Sequence, residues 1–106
     1  MFFRLKLYSW FLFMLFLISY KFNDANAQEK GSKMLKEWYD NGGLQKRPEG
    51  YDVQSWIFLP QHGNGYSVVN ADSLETIWRQ WQPCRELLEF TIEPCADLDQ
   101  TVELYC

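Results

Sequence analysis

The sequence predicts an α+β domain with a four-stranded antiparallel sheet, and three observations carry that prediction. Near the start, "LFLISYKF" alternates Phe16, Ile18, Tyr20 and Phe22 with Leu17, Ser19 and Lys21, the two-residue period of a strand with one strongly apolar face. In the middle, "YDVQSWIFLP" and "GYSVVNA" are strand-like runs joined by "QHGN", whose glycine and asparagine suit a hairpin. Further on, "ADSLETIWRQWQP" sets Leu74, Ile77, Trp78 and Trp81 at i, i+3, i+4 and i+7, the stripe of an amphipathic helix.

The remaining elements fall between these. Asn26 followed by Glu29 has the spacing of a capping box, and the segment it opens places Met34, Leu35 and Trp38 at helical spacing before "DNGG" stops it, so a first helix is expected over about 25–40. "LQKRPEG" reads as a loop. In the second helix Asp72 is the expected cap, with Glu75 three residues on, and Pro83 should kink or restart the chain because it lacks the amide donor. "LLEFTIEPC" supplies a last strand near 89–94, and "DLDQTVELY" a short terminal helix. Strand, helix, strand, strand, helix, strand is the order of the split βαβ, or ferredoxin-like, unit, in which the first and third strands lie in the middle of the sheet.

That order bears on how the chain begins. Arg4 and Lys6, an apolar run and Ala25-Asn26-Ala27 together make a secretory signal that is good by the ordinary criteria. Cleavage after Ala27, however, would remove a central strand and the first turn of the helix, leaving ladder groups unpaired on both sides of the gap. Retention of the strand and a cytoplasmic location are therefore expected, with export after cleavage at Ala27 as the alternative. Leu7–Tyr20 is uncharged but only 14 residues long, reaching about 21 Å as a helix against roughly 30 Å of bilayer hydrocarbon. Membrane contact is expected only if residues 1–27 act as a retained anchor.

Composition narrows the partners. With 106 residues, 47% hydrophobic and 18% aromatic, the chain has enough apolar material for one core and is not of disordered composition. The net charge of −4 becomes −6 once Arg4 and Lys6 are set aside, 8 basic against 14 acidic residues, so a phosphate backbone is repelled and no nucleic acid partner is expected. Three cysteines, Cys84, Cys95 and Cys106, form no C-x-x-C pair; neither a disulfide framework nor a zinc site is written here, and an odd count favours a reducing compartment. There is no phosphate-binding glycine loop, nucleophile elbow or metal signature, so no cofactor is expected.

At "GYDVQSWIFLP", "GYSVVNADSLETIW" and "RELLEFTIEP" the sequence resembles a bacterial family of uncharacterised proteins, domain of unknown function 3303, over roughly Met14 to Tyr105. Its members look like single ferredoxin-like units of the dimeric α/β barrel superfamily. The resemblance implies a homodimer in which the bare faces of two sheets meet to form a barrel. Family members typically begin with a methionine followed directly by a short apolar strand, which implies Met14 as the start of the domain, 14–106, and residues 1–13 as a hydrophobic extension. Where many members carry an Arg-aromatic-His triplet on the second strand this chain has Trp56-Ile57-Phe58, and where many have a tryptophan late in the second helix it has Cys84.

Candidate site residues follow from strand alternation. Val53, Ser55, Ile57 and Leu59 fall on one side of the second strand and Gln54, Trp56 and Phe58 on the other; Ser19, Lys21, Ser67, Val69, Thr91 and Glu93 are expected beside Trp56 and Phe58 on the bare face. Ser19, Lys21, Trp56, Phe58, Ser67 and Glu93 would then line either a pocket for a small apolar ligand or a partly wet dimer interface. Glu93 and Lys21 lie on strands expected to be neighbours, as an ion pair or, in the sharper alternative, as a carboxylate general base. His62 reads as a solvated turn residue, the cysteines as packing or surface thiols, and Trp38, Trp78 and Trp81 as helix residues facing the core. No catalytic residue is identifiable. The expectation is a binding or structural module, and the alternative, from the superfamily, is a cofactor-free monooxygenase or isomerase.

Overall fold

The computed structural model describes residues 14–106 except 44 and 47; the expected extension over residues 1–13 lies outside the described residues. Strand β1 (Met14–Phe22) leads into helix α1 (Ala25–Asp40), hairpin strands β2 (Tyr51–Leu59) and β3 (Asn64–Ala71), helix α2 (Leu74–Trp81), strand β4 (Leu88–Cys95) and a terminal helix α3 (Leu98–Tyr105). The strands form one antiparallel sheet in the order β2-β3-β1-β4. This is the ferredoxin-like arrangement, with β1 and β3 central as the element order requires.

Local chemistry explains the element boundaries, with two corrections to the expected caps. Helix α1 is capped by Asp24 rather than Asn26: Asp24 is extended, and its carboxylate accepts from the Ala27 amide at 2.7 Å. Helix α2 is capped by Ser73, not Asp72. The Ser73 hydroxyl accepts from the Thr76 amide, while Asp72 takes the Thr76 hydroxyl at 2.6 Å and so braces the same turn from one residue further out. Pro83 does end α2, in a short 3-10 turn over Gln82–Cys84. The hairpin turns at His62 and Gly63, whose amides both donate to the Leu59 carbonyl; Gly63 has φ +65°, a conformation glycine adopts without strain. Terminal helix α3 has a full capping box between Asp97 and Gln100. Pro94 is tolerated in β4 because that strand is an edge.

Register settles which face each strand residue occupies. Ile18 sits opposite Ser67 on β3 and Ile92 on β4; Phe16 is opposite Val69, and Tyr20 is opposite Gly65 and Phe90. These residues form the face that α1 and α2 cover, and with Tyr51, Ala71, Ile77, Trp81 and Leu88 they make the core. Ile18, Val69 and Ile77 are completely buried. The opposite face carries Leu15, Leu17, Ser19 and Lys21 from β1, Ser55, Ile57 and Leu59 from β2, Tyr66 and Val68 from β3, and Glu89, Thr91 and Glu93 from β4, and neither α1 nor α2 covers it.

The expected grouping of site residues is therefore corrected. Ser19, Lys21, Thr91 and Glu93 do lie on the bare face, but Trp56, Phe58, Ser67 and Val69 lie under the helices. The cause is partly a β-bulge: the β2–β3 register shifts between Val53 and Ser55, so Val53 pairs with Val69 and the next residue on the same face is Trp56, opposite Ser67. Strict alternation across Gln54 separates Val53 from Trp56; the bulge puts them together. Lys21 and Glu93 are on adjacent strands but out of step, since Lys21 faces Glu89 and Glu93 faces Leu17. Four residues of strand, roughly 13 Å, separate them along the sheet.

Candidate ligand-binding site

Between α1, α2 and the sheet lies a cavity of about 230 Å³, reached by Tyr20 and Phe22 from β1, Tyr51, Val53, Trp56 and Phe58 from β2, Met34, Leu35 and Trp38 from α1, and Trp81 and Cys84 from the end of α2 and the following turn. A larger hollow, about 510 Å³, is lined by α1 residues alone and has no opposing wall.

The cavity exists because α1 meets the sheet through small residues and leaves it through large ones. Only Ala27 and Gly31 of α1 are buried. A Cβ on Gly31 would fall 2.3 Å from the Phe22 ring, so glycine is what lets the helix close on β1 at that point. One and two turns later Met34, Leu35 and Trp38 are partly exposed, and the space between them and the sheet stays open. On the sheet side, Gly65 makes the matching allowance. Tyr20 and Phe58 flank it from neighbouring strands and stack over it, their rings 5° from parallel with centroids 6.4 Å apart.

The walls are a continuous aromatic assembly. Trp56 stacks on Trp81 at 5.4 Å, meets Trp38 at 6.0 Å and Tyr20 edge-on at 6.2 Å. Such pairs add about 0.5–1.5 kcal/mol each beyond the area they bury. Two of the three indole N–H groups are satisfied by phenols: Trp56 Nε1 donates to Tyr20 Oη at 2.8 Å and Trp81 Nε1 to Tyr51 Oη at 2.9 Å. Tyr20 in turn donates a long bond, 3.4 Å, to the Ile57 carbonyl. Cys84 Sγ donates to the Trp81 carbonyl at 3.1 Å. Buried Ser67 hydrogen-bonds the Ser55 carbonyl, and its small side chain leaves room for the Trp56 indole opposite.

Among the described residues no charged side chain lines the cavity. Burial raises the Tyr20 phenol above its ordinary value, opposed by the hydrogen bond from Trp56. It raises Tyr51 likewise, opposed by Trp81 and reinforced by the neighbouring Cys84, and burial also raises the Cys84 thiol. All three groups are therefore neutral at pH 7, and burial opposes the thiolate form of Cys84 that a nucleophile needs.

Of the six candidate site residues, the structure brings Trp56 and Phe58 to the cavity and places Ser67 beneath Trp56, while Ser19, Lys21 and Glu93 are on the other side of the sheet. Strand reasoning missed Tyr20, Tyr51 and Met34; the first two were legible only as apolar-face residues. Of the tryptophans expected in the core, Trp81 is buried, Trp38 walls the cavity, and Trp78 is half-exposed against Phe90 at 5.0 Å. His62 is exposed in the hairpin turn, the three cysteines are free thiols, and among the described residues no cluster of metal-ligating side chains occurs.

Comparison with curated proteins and with solved structures finds no match. Residues 14–105, the stretch that makes the sheet, both covering helices and the cavity, match the family described as Domain of unknown function (DUF3303), and the chain belongs to that family.

Proposed function

We propose that this chain is a small-molecule-binding module whose ligand occupies the aromatic cavity between the helices and the sheet. The observation that carries this reading is the cavity itself: space of about 230 Å³ walled by aromatic, methionine and leucine side chains, with the indoles of Trp56 and Trp81 hydrogen-bonded to the phenols of Tyr20 and Tyr51. A dry apolar cavity of about 150 Å³ is enough to take up benzene, and drug-sized pockets start near 300 Å³, so the occupant is a small, compact molecule. Titration of the labelled protein with naphthalene, followed through the tryptophan indole N–H resonances, is the test. Trp38, Trp56 and Trp81 should shift and Trp78 should not; absence of any shift, or a shift confined to Trp78, would remove the proposal.

The binding reading requires no group that the cavity lacks. The enzyme alternative calls for a base near bound substrate, and the carboxylate of Glu93 stands on the opposite face of the sheet.

The working unit in this proposal is a homodimer, joined through the bare sheet face. Ile57 and Tyr66, paired across β2 and β3, are 55% and 41% exposed there, and Leu15, Leu17 and Val68 continue the apolar strip. Lys21 and the two carboxylates Glu89 and Glu93 lie on the same face, so two copies related by a twofold axis can oppose unlike charges across it. The location we propose is the cytoplasm. The free thiols agree with it, and so does the central position of β1, which removal of residues 1–27 would delete. Among the described residues no helix is long and apolar enough to cross a membrane.

A further inference from the structure

Resting on the reading that the cavity takes a small molecule, we infer that its ligand is an uncharged, flat, two-ring compound carrying one hydrogen-bond acceptor, a carbonyl or ether oxygen, and that Tyr51 is the donor which recognises it. The shape follows from the walls. Trp56 lies between Trp38 and Trp81, with Tyr20 and Phe58 stacked beside it, so the surface offered is a set of ring faces and edges that a planar molecule can extend. The volume exceeds what a single ring fills and falls short of a three- or four-ring skeleton.

Neutrality follows from the lining. Among the described residues an anion would find no cation, and a cation would find ring faces but no carboxylate to set against the water shell it loses on entry. The acceptor follows from an unspent proton. Tyr51 is 8% exposed, and its oxygen accepts from Trp81; among the described residues nothing accepts the proton of its own hydroxyl. The other polar hydrogens of the buried wall are committed: the indoles of Trp56 and Trp81 to phenols, Tyr20 to the Ile57 carbonyl, and Cys84 to the Trp81 carbonyl, while Ser32, Trp38 and Gln80 belong to the exposed rim, where water can serve them. A buried hydroxyl with an uncommitted proton, on a residue that lines an apolar cavity, selects a ligand that brings an oxygen to it.

The test uses three probes of one skeleton, tetralin, α-tetralone and tetralin carboxylate, titrated calorimetrically into the full chain and into Tyr51→Phe. The ketone should bind the native chain, the carboxylate at least tenfold more weakly. Tyr51→Phe should weaken the ketone about three- to tenfold, the span of one neutral hydrogen bond, while leaving tetralin unchanged. Tetralin binding to the variant also reports that its cavity is intact. Equal losses for ketone and hydrocarbon, or none for either, overturn the role of Tyr51, and a carboxylate that binds as well as the ketone overturns the neutral class. If no probe binds the native chain, the pocket reading itself falls with it.

Discussion

Replacing Gly65 by alanine probes the fold and the site together. Gly65 lies in β3 between Tyr20 and Phe58 on the neighbouring strands, and its φ is not positive, so alanine is conformationally admissible. The obstacle is space. An added Cβ would stand 2.3 Å from the Ile57 carbonyl oxygen and 2.5 Å from the Tyr20 hydroxyl. Tyr20 can swing away, which breaks its bond with Trp56 Nε1, but the Ile57 oxygen belongs to β2 and yields only if the two strands separate. Overpacking of this kind costs about 1–3 kcal/mol, and loss of the Trp56–Tyr20 bond a further 0.5–1.5 kcal/mol or so. The lower entropy of an unfolded chain with alanine returns about 0.4–1 kcal/mol. The expected net loss is about 2–3 kcal/mol, or roughly 8–20 °C in Tm for a domain of this size. Thermal and urea denaturation at one fixed protomer concentration measure it, with Tyr20→Phe as the comparison, which removes the phenol's bonds with Trp56 and Ile57 without adding bulk and should cost about 1–2 kcal/mol. A change below about 0.5 kcal/mol for Gly65→Ala, the scale of an ordinary surface substitution, would refute the close packing of Tyr20 on Gly65 and with it the description of the cavity wall.

Three further outcomes are expected. Ile57→Lys with Tyr66→Lys places two cations on the bare sheet face, and sedimentation velocity should show the mass fall from dimer to monomer with the far-UV circular dichroism preserved; a double variant that stays dimeric would refute the proposed interface. A chain beginning at Gln28 lacks β1, leaving β3 and β4 with no strand between them, and should show no cooperative unfolding transition; a sharp transition with native near-UV signals would contradict the central place of that strand. Stability should fall as the pH rises past about 9. The folded values of Cys84, Tyr20 and Tyr51 are all raised, so above their ordinary values of 9.0 and 10.0 the unfolded chain releases these protons first and is favoured. Urea midpoints measured across pH 8–11, with phenolate absorbance as the marker of titration, check the sign, and a midpoint that rises over that range would refute it.

Much of this structure was open to inspection in the sequence because its amphipathic patterns are strong. Phe16, Ile18, Tyr20 and Phe22 alternate with smaller or charged residues, so the period and the inward face of β1 were both readable. Ile77 and Trp81 sit one turn apart on a helix with polar residues opposite, and "QHGN" could hardly join the flanking strands except as a turn. The caps were misplaced by one or two residues because Asp24, Asn26, Asp72 and Ser73 are all competent acceptors, and only backbone geometry chooses among them. Strand β2 was the harder case: Val53, Ile57 and Leu59 on one side and Trp56 and Phe58 on the other make both faces apolar, so alternation could not say which one the helices cover. Sequence by itself determined that this chain makes a four-stranded sheet with β1 inside it, since period and element order depend on neighbours along the chain. The register of Trp56 against Ser67, the bulge at Gln54 and the gap that α1 leaves beyond Gly31 were decided only by tertiary structure, because each depends on what residues distant in sequence allow to approach.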